Sequence, residues 1–104
     1  MGIERNEIHV EKDEQDRIIG YVWLKDKARR QTTEIHEIVS SAKGCGRKLF
    51  DWVCQNATHQ TLELIVWEQN RHAIGVYRHL GFKTQGIKRI CGKNYIEMTY
   101  AISE

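Results

Sequence analysis

The chain has 104 residues, 40 % hydrophobic and 29 % charged, with a formal net charge of +2. That is room for one compact domain, too apolar for a disordered chain and too weakly basic for charge alone to argue for nucleic acid. No apolar run nears the ~20 residues that cross a bilayer and no signal-peptide core follows Met1, while Cys45, Cys54 and Cys91 stand at unrelated spacings, so the expectation is a cytoplasmic protein with reduced thiols.

Residues 7–11, Glu-Ile-His-Val-Glu, alternate polar and apolar, the period of a strand with one face buried. A charged turn over 12–16 leads to a second strand over 17–24, in which Ile18, Ile19, Tyr21, Val22 and Trp23 are β-formers. After the charged connection 25–31, Ile35, Ile38 and Val39 carry a third strand over 32–41. The period then changes. Gly46, Leu49, Phe50, Val53, Cys54 and Ala57 recur as the apolar stripe of a helix, with Arg47, Lys48, Asp51 and Gln55 on its wet side. Residues 61–67 return to strand composition, and 70–80 form a second helix with Ala73, Val76, Tyr77 and Leu80 on its inner face. Two last strands, 82–90 and 94–102, meet near Cys91-Gly92-Lys93, and Ile96, Met98, Tyr100 and Ile102 alternate along the second. The order βββ-α-β-α-ββ over one domain, residues 1–104, predicts an α+β fold: a mixed, mostly antiparallel sheet with two helices packed on it.

The stretch Ser40-Ser41-Ala42-Lys43-Gly44-Cys45-Gly46 joins the third strand to the first helix. A helix N-terminus presents unpaired N–H groups and about half a positive charge, so it binds phosphates. Glycines let a bulky anion approach the backbone, and Lys43, Arg47 and Lys48 add charge at the same end. The same glycines also suit a plain strand-to-helix turn. A P-loop string is absent, and a dinucleotide fingerprint fails because Leu49 stands where its third glycine belongs.

The second helix carries Asn70-x-x-Ala73-x-x-x-Tyr77-x-x-x-Gly81-Phe82. Asn70 suits an N-cap, Gly81 a left-handed C-cap, and Tyr77 could be core. Together, and preceded by the Gly44-Cys45-Gly46 loop, these residues resemble the GNAT acetyltransferase superfamily from the third strand onward. Ser41 stands where that family has Gln or Arg, and the loop is short. Only about six residues precede the first strand, where GNAT enzymes usually have a strand and two helices walling the acceptor site. The resemblance therefore implies an open acceptor side suited to a macromolecular amine, a protein lysine or an RNA-linked amine, or closed by a second copy in a homodimer.

The resemblance further implies direct transfer from acetyl-CoA to a primary amine. The pantetheine arm would lie along Glu37, Ile38, Val39 and Ser40, and the pyrophosphate on amides of Lys43, Gly44, Cys45, Gly46, Arg47 and Lys48. Asn70 would bond backbone near the cofactor as well as cap its helix. Tyr77 matches the family's general acid; a free phenol titrates near 10 and can donate to a thiolate. Glu37 is the first candidate for a base and His36 the alternate, separated by strand parity. Cys45 reads as a small hydrophobe.

Three other readings stand beside this one. Cysteine and histidine spacings lack the pairing of zinc modules, so no metal is expected. A nucleic-acid-binding module is suggested by Lys83, Lys88, Arg89 and Lys93 near the last hairpin, with Arg71, His72, Arg78 and His79 on the second helix. A GNAT-like domain that binds CoA or a partner without catalysis is the third.

Overall fold

The computed structural model describes residues 5–102. Six strands and two helices follow the expected order: β1 (Arg5–Lys12), β2 (Ile18–Lys27), β3 (Thr32–Ser40), α1 (Cys45–Asn56), β4 (Thr61–Trp67), α2 (Arg71–Leu80), β5 (Lys83–Ile90) and β6 (Lys93–Ala101). They form one sheet in the order β1-β2-β3-β4-β6-β5, antiparallel throughout except between β3 and β4. The parallel step follows from α1, which carries the chain across between those two strands.

The core lies on the helix-covered face. Val22, Leu24, Ile35, Leu62, Leu64, Val66 and Met98 from the strands meet Leu49, Phe50 and Val53 of α1 and Ile74 of α2. The predicted stripe of α1 is borne out, with Arg47, Lys48, Asp51 and Gln55 all exposed. The inner face of α2 needs correction: Ile74 is its buried residue and Val76 is 43 % exposed. A short helix leaning on one sheet corner buries a narrow strip, and that strip runs through Ala73, Ile74 and Tyr77.

The first strand also departs from its alternation. Ile8 is 61 % exposed and Val10 38 %, whereas His9 stacks flat on Trp52 of α1 with ring centroids 4.2 Å apart. The polar set thus faces the helix, and the apolar set joins Tyr21 and Trp23 on the opposite, helix-free side, because Ile8 pairs with Trp23 and Val10 with Tyr21. We call this side the open face.

Asn70 caps α2, its side-chain oxygen accepting the Ala73 N–H at 3.4 Å. The bond is long, so Asn70→Ala is expected to cost about 0.5–1 kcal/mol, the low end for a lost N-cap, read as a small drop in melting temperature. Gly81 ends the helix at φ 114°, and a Cβ there would come within 2.9 Å of the Tyr100 ring. Both the conformation and the contact require glycine.

Candidate active site

Strands β3 and β4 pair only at Thr32–Thr61, Thr33–Leu62 and Glu34–Glu63. Beyond that point they part. β3 stays bonded to β2 as far as Ser40, and β4 to β6 as far as Trp67, so their facing edges have no strand between them. This is a slot in which an extended chain can pair with backbone groups.

The β3 wall of the slot carries His36 and Glu37, the two candidates for a base. The β2–β3 register slips by one residue between Trp23 and Leu24: Trp23 pairs with Glu37 and Leu24 with Ile35, leaving His36 as the extra residue of a bulge. The bulge cancels the parity that separated His36 from Glu37 in the sequence. His36 meets the Trp23 ring edge-on at 4.4 Å and bonds Glu34 through Nδ1 at 3.0 Å. Glu37 accepts a 2.6 Å hydrogen bond from the Tyr21 hydroxyl. Glu34, His36 and Glu37 therefore share the open face, and that bond raises the Tyr21 phenol above its ordinary value. Ile38 turns to the core, and Val39 is 43 % exposed.

Tyr77 packs edge-on against Phe82 with centroids 5.7 Å apart. Burial pushes its phenol above the ordinary value of 10. Its hydroxyl has no hydrogen-bond partner among the described residues, yet it is not among the fully buried unpaired atoms, so it reaches an accessible surface.

At the loop, Gly44 is the N-cap of α1 at φ 84°, a left-handed conformation that only glycine adopts without strain. Two of the six amides proposed for phosphate are already donors, Cys45 to the Ala42 carbonyl at 3.1 Å and Lys48 to the Gly44 carbonyl at 3.2 Å. The amides of Gly46 and Arg47 in the first turn have no acceptor among the described residues. The first turn holds no acidic residue. Arg47 is paired with Asp51 at 3.2 Å, while Lys43 and Lys48 are exposed. Ser41 is turned away: its N–H and its hydroxyl both donate to the Ile19 carbonyl, at 2.8 and 2.9 Å. Cys45 is 2 % exposed, a core residue as read from the sequence, and all three cysteines are free thiols.

An acyl-CoA fits these features in two respects: free amides at a basic helix N-terminus suit its pyrophosphate, and the parted strands suit its extended arm. On the open face a groove of about 270 Å³ runs beside the slot, with Glu34 and Glu63 at one end, Lys88 at the other and Glu97 between them. Arg30 pairs with Glu63 at 3.2 Å and Lys27 with Glu34 at 3.8 Å. Sequence reading missed Tyr21 and Trp23 as part of this site, since in one dimension they were only β-formers. It also missed Glu63 and Glu97, which β4–β6 pairing brings to the same face. Among the described residues no three His, Cys, Asp or Glu side chains gather as metal ligands, and no helix is long and apolar enough to cross a membrane.

Known proteins resemble this chain in sequence pattern and in fold. The model of the acetyltransferase (GNAT) family matches residues 3–82. A 5-NmdU N-acetyltransferase of Pseudomonas phage PaMx11 is 34 % identical over 83 residues, which cover 76 % of this chain and 59 % of that protein. Nourseothricin acetyltransferase superposes with a TM-score of 0.84 at 20 % identity, covering 94 % of this chain and 66 % of its own. The spermidine/spermine N-acetyltransferase SpeG of Vibrio cholerae gives 0.76 at 22 % identity, covering 92 % and 65 %. The chain thus spans less than two thirds of the length of each, and the two structures share its fold.

Proposed function

This chain belongs to the GNAT acetyltransferase family, and we propose that it transfers an acetyl group from acetyl-CoA to a primary amine. The observation that carries the reading is the parting of β3 from β4, with Glu37 on the open face and the free amides of α1 beyond the far end of β3. Bound acetyl-CoA supplies a thioester, a carbonyl carbon open to attack with a thiolate as leaving group.

The residues of the chain take the remaining tasks. Gly46 and Arg47 amides, with Lys43 and Lys48, hold the pyrophosphate, and the edge of β3 from Glu37 to Ser40 holds the arm. An amine near pKa 10.4 is protonated at neutral pH and must lose a proton before it attacks. Glu37, fixed by Tyr21, takes that proton directly or through water. As the new C–N bond forms and the C–S bond breaks, the Tyr77 hydroxyl gives its proton to the departing sulfur, and the second proton lost by the amine nitrogen passes through water to the Tyr77 oxygen and restores the phenol. The products are an N-acetyl amide and free CoA thiol.

The described residues put no helix over the open face, which supports an exposed acceptor side and a macromolecular amine. The phage relative is named for 5-NmdU and the two structural relatives for spermidine or spermine and nourseothricin; these define the first panel of acceptors. We place the protein in the cytoplasm, consistent with its free thiols.

The test is thiol release from acetyl-CoA with that panel, followed by mass spectrometry of the product. Amine-dependent release is expected, and Glu37→Gln should lower kcat/KM at pH 7 by about 10²-fold. The deficit should shrink as pH rises toward the amine's own pKa, where a base is no longer needed. Cofactor binding without release on any acceptor, nor on cell extract, would favour the binding-only reading.

A further inference from the structure

One part of the open face takes no part in the chemistry above. Trp67 of β4, Tyr95 of β6 and Lys88 of β5 are direct neighbours across three strands. Lys93, two residues before Tyr95 on the same strand face, places Nζ 5.2 Å from the centre of the Trp67 ring. Trp67 is 40 % exposed. Neither Lys88 nor Lys93 belongs to an ion pair among the described residues, whereas Lys27 and Arg30 nearer the carboxylates do. The other tryptophan of this face, Trp23, is engaged: its Nε1 donates to Asn6 at 3.1 Å and His36 covers its edge.

We propose that the Trp67–Tyr95–Lys88–Lys93 platform docks single-stranded nucleic acid and so presents an amine carried by that strand to the slot. Two cations outside any ion pair among the described residues, one of them resting on the ring of a partly exposed tryptophan beside a half-buried tyrosine, match a ligand with regularly spaced anions and flat π-faces. Those faces are free to stack only in an unpaired strand. The platform is continuous with the groove, since Lys88 lines both and Ile65 and Glu97 lie between it and Glu63. From Trp67 to Glu63 is four residues of strand, about 13 Å, a short reach for a single strand. At the far end Glu34 and Glu63 are already paired with Lys27 and Arg30, so the cations left without an ion pair among the described residues of groove and platform are those of the platform, and phosphates are held there. The docking itself stands on the platform; its link to transfer rests on the proposed activity.

The test titrates a short fluorescein-labelled oligothymidylate with the whole chain and follows anisotropy at several salt concentrations, without acetyl-CoA. Saturable binding is expected, weakening with salt at a log–log slope of about −1.4 for two phosphate contacts on a single strand. The double variant Lys88→Gln/Lys93→Gln should flatten that slope and weaken binding at least about tenfold. Trp67→Ala should also lose about tenfold, and Trp67→Phe should restore most of it. Unchanged melting temperatures in the variants exclude misfolding. No binding at low salt, binding untouched by the lysine pair, equal binding of duplex, or equal displacement by an acidic peptide would each overturn the proposal. Thiol release by the unaltered protein on a small amine reads the chemistry separately. Release without oligonucleotide binding overturns the docking alone, and binding without release on any amine leaves the docking and removes the transfer reading.

Discussion

Replacing Tyr77 by phenylalanine is expected to lower kcat by about 10²–10⁴-fold while leaving the dissociation constant of acetyl-CoA within about threefold. The ring is what packs against Phe82, and phenylalanine keeps that contact. The hydroxyl has no protein partner among the described residues, so removing it costs the fold little and removes only the proposed proton donor. The pH dependence follows from the direction of its shift. Burial raises this phenol above 10, so it keeps its proton through neutral and mildly alkaline pH and loses it only as pH rises past the raised value. Tyr77 therefore contributes no alkaline fall in kcat below about pH 10, and none of its stability contribution is lost there either. Single-turnover kinetics across pH, with calorimetry for cofactor binding, is the measurement. An unchanged rate, or lost binding, would assign Tyr77 to packing.

Gly20→Ala is expected to be the most damaging single methyl in the chain. A Cβ there would stand 2.6 Å from Cys45 Sγ and 2.7 Å from the Val39 carbonyl oxygen, with Leu49 at 3.2 Å. The sulfur is a buried side chain and the oxygen is backbone, so neither swings aside, and the outcome belongs at or above the upper end of overpacking costs, about 3 kcal/mol. In a domain of this size that is a loss on the order of 15 °C in melting temperature. Adding Cys45→Ala should return only part of the loss, because the clash with Val39 remains. Val39 lies in the stretch proposed to hold the cofactor arm, so acetyl-CoA affinity should fall in the same variant and recover less than stability does. A melting temperature within a few degrees of the parent would contradict this account.

Gly20 shows why part of the site was illegible. In sequence it is a glycine inside a β-forming run. Only the seating of α1 on β2 shows that two chain segments meet where its side chain would be. His36 and Glu37 show the same limit in another form. Period-two counting assigns them opposite faces, and one bulged residue puts both on the same face. The exposure of Ile8 and Val10 also depends on something the strand does not encode, namely which face the helices cover.

Local pattern was enough for the element order, the apolar stripe of α1, the caps of α2 at Asn70 and Gly81, and the residues of the GNAT resemblance, because each depends on periodicity or on backbone conformation within a few residues. The parting of β3 from β4, the Tyr21–Glu37 bond, and the gathering of Trp67, Tyr95, Lys88 and Lys93 were decided by tertiary structure alone. Each is a relation between segments distant in the chain or between an atom and its surroundings, and strand order and register, which no single segment carries, create those relations.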